Sequence, residues 1–175
     1  MRSRVVYESM FGNTAAIAEA IADGLREYGP VEVLNIAAAA NVPAPAVDLL
    51  VVGGPTHALG LSRQRTRLDA AERTDAPVVV DIGIREWFDA ALPVPAGCRA
   101  AAFGTKAAKP PWLPGSAAHG AGKRLRRLGY QLADEPMDFL VDGMTGPLSE
   151  GELARARAWA QRLAHVEQDR IAHLH

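Results

Sequence analysis

The sequence holds one cysteine, Cys98. A single thiol cannot build a disulfide framework within the chain and argues against a cysteine-based metal site, which fits a reducing, cytoplasmic compartment. Cys98 itself reads as a small hydrophobe of the interior. A charge excess of either sign is missing too. The 19 Lys and Arg oppose 20 Asp and Glu, for a formal charge of −1. This speaks against a general nucleic-acid binder and against a strongly acidic protein. No apolar run reaches the ~18 residues of a membrane span. Arg2 and Arg4 are not followed by the apolar region of a signal peptide. No membrane insertion and no nucleic-acid partner are therefore expected. His165, His173 and His175 make no metal-ligand pattern, His119 reads as a structural or exposed residue, and no metal is expected.

Two nucleotide-binding signatures are absent as well. The Walker loop needs a Gly-Lys-Ser/Thr ending and the dinucleotide fingerprint needs three spaced glycines. Neither occurs at the candidate loop of residues 9–14. ATPase and classical dinucleotide-binding readings lose their main support.

What is present is a regular alternation of periods. Half of the 175 residues are apolar, 49%, enough for one domain with a substantial core. Residues 5–7 read as a short strand. Ile17, Ile21, Leu25 and Tyr28 then recur at helical spacing, stopped by Gly29-Pro30. Residues 31–36 read as a second strand, followed by an alanine-rich connector in which Pro43 and Pro45 oppose a regular helix. Leu49-Leu50-Val51-Val52 is apolar on both faces, as in a central parallel strand, and an abrupt turn is expected at Gly53-Gly54-Pro55.

A polar helix is expected from Ser62, and residues 78–80 read as a connector into a helix over 84–92. Residues 99–103 form a fourth strand. A helix from about Ser116 presents Ala118, Ala121, Leu125 and Leu128, with Gly129 as its cap. Residues 137–141 form a fifth strand. Ser149 and Glu152 match the capping-box spacing of a last helix, with Leu153, Ala156, Ala160 and Leu163 facing inward. The domain is expected over 1–166, with a frayed tail over 167–175. Five strands alternating with helices imply a parallel sheet covered on both faces.

Ligands of such a sheet bind beyond the carboxyl ends of its strands. Three unusual loops fall there: residues 9–14, 55–61 and 104–115. The first has the chemistry for a phosphate monoester. Backbone N–H groups at a helix start point outward, and the helix dipole favours an anion. Ser9, Asn13 and Thr14 add neutral donors, and Gly12 permits close approach. No lysine or arginine lies between Val5 and Thr14. Read from spacing alone, an ordinary helix cap with a turn glycine is the competing account.

The run Tyr7-Glu8-Ser9-Met10-Phe11-Gly12-Asn13-Thr14 resembles the phosphate loop of the flavodoxin-like family, and strand count, helix order and loop positions agree over nearly the whole chain. The resemblance implies a three-layer α/β/α sandwich with a five-stranded parallel sheet in the order 2-1-3-4-5. The general rule for open α/β sheets names flavodoxin, with FMN at the switch point, as an instance. It implies FMN as cofactor, its phosphate wrapped by Ser9, Met10, Phe11, Gly12, Asn13 and Thr14. Phe11 stands where the family usually has a hydroxyl. Pro55, Thr56, His57, Leu59 and Gly60 would contact one side of the flavin ring, and Gly104, Thr105 and Lys106 the other. Gly60 is also placed for a backbone flip toward the flavin N5. Trp112 either stacks on the flavin or packs its loop onto the domain. His57 either makes a polar loop contact or couples proton to electron transfer. No side chain is required as a catalytic acid or base.

The implied function is electron transfer, as a shuttle or as a small oxidoreductase linked to NAD(P)H or a quinone, in a monomer or dimer. Arg63, Arg65 and Arg67 follow the second loop, Lys106 and Lys109 lie in the third, and Lys123, Arg124, Arg126 and Arg127 cluster on the next helix. These form either a solvated basic face or a surface for an acidic redox partner or phosphorylated ligand. Nearby cations also favour a negatively charged, fully reduced flavin. The alternative function is a non-redox binding or interaction module that keeps the fold and binds FMN weakly or not at all. A response-regulator receiver would need an acidic cluster at strand ends that Ser9 and Gly53 occupy.

Overall fold

Val5, Val6 and the four residues Leu49, Leu50, Val51 and Val52 are all 1% exposed or less, as strands sandwiched between two helical layers must be. The computed structural model describes residues 1–43 and 46–174. Pro45, expected to interrupt the second connector, and His175 lie outside the described residues. The elements in chain order are β1 (Ser3–Tyr7), α1 (Asn13–Arg26), β2 (Val31–Asn35), α2 (Ile36–Ala39), β3 (Leu49–Pro55), α3 (Gln64–Ala71), α4 (Ile84–Ala90), β4 (Arg99–Ala107), α5 (Ala117–Arg127), β5 (Gln131–Leu132), β6 (Met137–Val141) and α6 (Glu152–Ala172).

The sheet is parallel and ordered β2-β1-β3-β4, with β5 and β6 both paired to the outer side of β4. This is the expected order 2-1-3-4-5, with the fifth strand in two pieces. Gln131 and Leu132 pair Arg99 and Ala100, and Met137 resumes opposite Phe103. The break contains Pro136, which cannot donate to a ladder. One face of the sheet meets α1 and α6 through Ile17, Ile21, Phe103, Phe139 and Trp159. The other meets α4 and α5 through Val52, Ile84, Phe88 and Leu125.

Several expectations change in the structure. Gly53, Gly54 and Pro55 do not turn; they continue β3, paired with Phe103, Gly104 and Thr105. The glycines serve packing. A Cβ on Gly53 would stand 2.3 Å from the Phe103 ring, and one on Gly54 2.9 Å from Ile84. The connector after β2 begins with one short helical turn, α2, capped by Asn35 through its side chain to the Ala38 N–H at 2.9 Å. The α4 helix stops at Ala90, leaving Leu92 81% exposed.

The last helix has no Ser149–Glu152 capping box. Its cap is Gly151 at φ 82. The Ser149 hydroxyl instead donates to Asp142 at 2.6 Å, and the Glu152 carboxylate accepts the Leu140 N–H at 2.6 Å and two Arg155 contacts. Leu153 is exposed, and Trp159 holds the inward position, donating its indole N–H to Asp134 at 3.0 Å. The segment expected as a tail from 167 is helical through Ala172, because Glu167 is fully buried against Arg99.

Candidate functional site

The C-terminal strand ends open onto a cleft of about 480 Å³, within the range of small-molecule and cofactor sites. Four loops form it rather than three. Ser9, Met10, Phe11, Asn13 and Thr14 come from the loop after β1, Pro55, Thr56 and His57 from the end of β3, and Thr105 and Lys106 from β4. These ten were expected from sequence. Gly143 and Met144, after β6, and Asp69, Ala70 and Arg73, at the far end of α3, join them without having been expected. The signal available for the fourth loop was its glycine pair Gly143 and Gly146, both at positive φ.

Five expected residues do not line the cleft. Gly12 holds φ +89 behind it, shaping the turn into α1. Gly104 is inside β4 rather than in a loop, and a Cβ there would stand 2.8 Å from the Ala118 nitrogen. Leu59 and Gly60 belong to a tight turn that projects outward. His57 and Gly60 exchange backbone bonds at 2.8 and 3.0 Å, and Ala58 and Leu59 between them hold φ 44 and 72. Two side-chain-bearing residues at positive φ store strain of about 1–3 kcal/mol each. The turn is buttressed by Gly115, where a Cβ would fall 2.1 Å from the Leu59 carbonyl. Trp112 is 77% exposed and away from the cleft lining.

At the first loop the side chains mostly brace the fold. The Ser9 hydroxyl oxygen accepts the Ala15 N–H at 3.2 Å, Asn13 donates to the Thr145 carbonyl at 3.0 Å, and Thr14 and Thr105 share a hydroxyl bond at 2.8 Å. The backbone does the opposite. Ala16 N–H reaches the Gly12 carbonyl at 3.0 Å. The N–H groups of Phe11, Gly12, Asn13 and Thr14 find no acceptor among the described residues. Unpaired donors converging at a helix start are a ready anion cradle. They fit the phosphate of FMN, and the proton of Ser9 remains available as a further donor. The cleft lining carries few aromatic side chains. Among the described residues, Phe11 and His57 are its only rings.

His57 sits beside Thr66, with Nδ1 and Oγ1 3.1 Å apart. Burial, and then the Arg67 guanidinium, push its imidazole below the ordinary value of 6.5. Both effects favour the uncharged ring. Arg67 is not part of a basic surface, as its place beside Arg63 and Arg65 suggested; it is fully buried. It donates to the Val80 carbonyl at 2.8 Å, the Ser62 hydroxyl at 3.0 Å and Glu86 at 3.0 Å. Ser62 in turn donates to Glu8, whose other oxygen accepts the Ile84 N–H at 3.0 Å. Desolvation raises the Glu8 carboxyl above the ordinary range despite these partners. Burial opposes ionisation of Glu86 as well, but bonds from Arg67 and from backbone N–H groups outweigh it and hold that carboxyl low. This cluster fixes α3 and the start of α4 to the end of β1, and α3 is the outer wall of the cleft.

Three cations, Arg73, Lys106 and Lys109, and one carboxylate, Asp69, line the cleft among the described residues. Of the basic residues on α5, Arg124 is paired with Asp89 at 2.5 Å and Arg126 lies 4.0 Å from Glu135. No described helix is long and apolar enough to cross a membrane.

The flavodoxin family model matches residues 5–82. No curated protein matches the chain. Among solved structures, flavodoxin 2 from Bacillus cereus is 20% identical and superposes with a TM-score of 0.67, over 94% of this chain and 99% of that one. A flavodoxin from the domain Archaea is also 20% identical, with a TM-score of 0.64 over 96% and 99%. A WrbA-like flavodoxin from Agrobacterium tumefaciens is 23% identical, with a TM-score of 0.59 over 96% and 98%. The chain therefore has the flavodoxin fold along nearly its whole length, and its residues 5–82 match the flavodoxin family model.

Proposed function

We propose that the protein binds FMN in the cleft and acts in electron transfer in the cytoplasm. The observation that carries this is the run of unpaired N–H groups from Phe11 to Thr14 at one end of a cleft of flavin-compatible size. When bound, FMN supplies the redox chemistry. The chain binds, orients and tunes it. The first loop receives the phosphate through backbone donors and the Ser9 hydroxyl. Thr56 and His57 border the ring on one side, and Thr105 and Lys106 on the other. The cations of the lining favour negative charge on the reduced ring. The two-electron-reduced cofactor is thus more accessible here than in a strongly acidic flavodoxin. The same charge balance suits a small reductase linked to NAD(P)H or a quinone, or a shuttle with an acidic partner.

The visible spectrum of the purified protein, with FMN titration of any colourless preparation, tests the binding. Flavin absorbance, and FMN released on denaturation, are expected. A colourless protein that also takes up no added FMN rejects the proposal in favour of a non-redox module. Steady-state assays with NADH, NADPH and quinones separate reductase from shuttle. A very low potential for the second electron in a redox titration contradicts the role given to the cations.

A further inference from the structure

We propose that Arg73 is the counter-ion of the cofactor phosphate, delivered across the cleft from the end of α3. The inference rests on the FMN reading above and extends it to a residue outside the first loop.

A phosphate monoester carries about −1.5 to −2 charge at neutral pH, whereas a helix start offers roughly half a positive charge. The first loop contributes no cation, and Phe11 contributes no hydroxyl. Asn13 is held by Thr145, and Thr14 by Thr105. Four unpaired N–H groups therefore face a ligand whose charge they only partly offset, and a cation on the cleft wall would add to them.

Arg73 stands in the turn that ends α3, its N–H bonded to the Ala70 carbonyl at 3.0 Å. Its side chain crosses to the loop after β6, with Nη1 3.4 Å from the sulfur of Met144. A thioether is a weak acceptor, and this guanidinium forms no ion pair among the described residues, although Asp69, one turn earlier on α3, lines the same cleft. The next residue, Thr145, accepts the Asn13 side chain at 3.0 Å. The Met144 contact and the peptide link to Thr145 thus connect the guanidinium to the carbonyl that holds Asn13, the first residue of α1. A fork-shaped cation without an ion pair, lining the same cleft as such a cradle, matches phosphate chemistry. Lys106 and Lys109 line the cleft from β4 and the third loop, on the side given to the ring.

Calorimetric titrations with FMN, riboflavin and inorganic phosphate separate a phosphate contact from a packing role. Arg73→Gln is expected to weaken FMN about tenfold, leave riboflavin within about twofold, and flatten the salt dependence of FMN binding. Arg73→Lys keeps the charge and is expected to recover part of the loss, and inorganic phosphate is expected to bind the wild type more tightly than Arg73→Gln. Equal losses of FMN and riboflavin make Arg73 a wall residue and overturn the inference. So does an unchanged FMN affinity, and so does a loss seen with Lys106→Gln but not with Arg73→Gln. In each of those cases the wild type still binds FMN, and the functional reading stands. A wild type that binds neither flavin rejects both.

Discussion

Glu8 and Ile84, 76 residues apart, are joined directly: the Glu8 carboxylate accepts the backbone N–H that opens α4, at 3.0 Å. The bond ties the last turn of chain before the anion loop to the segment that backs the second loop. Because desolvation raises the Glu8 carboxyl above its ordinary 4.5, the folded state holds this proton more tightly than the unfolded one. Its contribution to stability is fully present below pH 4.5 and is lost as pH rises through the raised folded value. Glu8→Gln is uncharged throughout and should flatten that decline. Urea unfolding across a pH series measures it, and an unaltered slope contradicts the reading. Glu8→Ala, which also strips Ser62 and Ile84 of their acceptor, should cost about 3 kcal/mol.

His57 titrates in the opposite sense. Burial and Arg67 lower its imidazole below 6.5, so protonation favours unfolding. The stability it contributes is present above pH 6.5 and disappears as pH falls through the depressed folded value. Proton NMR of the imidazole should show a midpoint below 6.5. A midpoint at or above 6.5 would restore a physiological proton-coupling role for this residue.

A chain ending at residue 166 should be less stable by about 3–5 kcal/mol. Glu167 is fully buried and accepts Arg99 Nε and Nη2 at 2.9 and 2.7 Å, with Arg170 on its second oxygen at 2.7 Å. Truncation leaves the Arg99 charge largely enclosed without its partner. The shift in urea midpoint, compared with that of Glu167→Gln, isolates the ion pair from the lost helical turn. A truncated chain as stable as the full one removes the structural role assigned here.

Trp112→Ala should leave FMN affinity within about twofold, since base-type stacking worth ~1–3 kcal/mol requires contact and Trp112 is 77% exposed. His57→Ala and Phe11→Ala, which remove the two rings on the lining, should weaken binding. Fluorescence titration with FMN ranks the three. A dominant effect of Trp112 would show that the third loop folds over the ring on binding.

Periodicity made the architecture legible. The stripe of Ile17, Ile21 and Leu25 and the doubly apolar run Leu49 to Val52 each had one consistent environment, and both are buried as their patterns require. Local rules failed where a distant group decided the outcome. Gly53 and Gly54 look like turn residues, yet they are small because Phe103 and Ile84 lie across them. Ser149 and Glu152 have capping-box spacing, but Asp142 and Leu140 claim their side chains. At the site, the first loop was readable because its donors are contiguous in sequence. Arg73 and Met144 were not, since nothing local marks residues brought together by α3 and the loop after β6. Arg67 was misread for a similar reason: its buried partners Ser62, Val80 and Glu86 are not visible in a row of arginines.

The gap between β5 and β6 bears on self-association. A continuous outer strand would present an unbroken row of backbone donors and acceptors, the template on which a second chain can grow a sheet. Here that rim is cut into segments of two and five residues, separated by Ala133, Asp134, Glu135 and Pro136. Charge and a proline at the cut oppose edge-to-edge growth, and the Leu140 N–H and carbonyl on the β6 rim are already taken by Glu152 and Ser149.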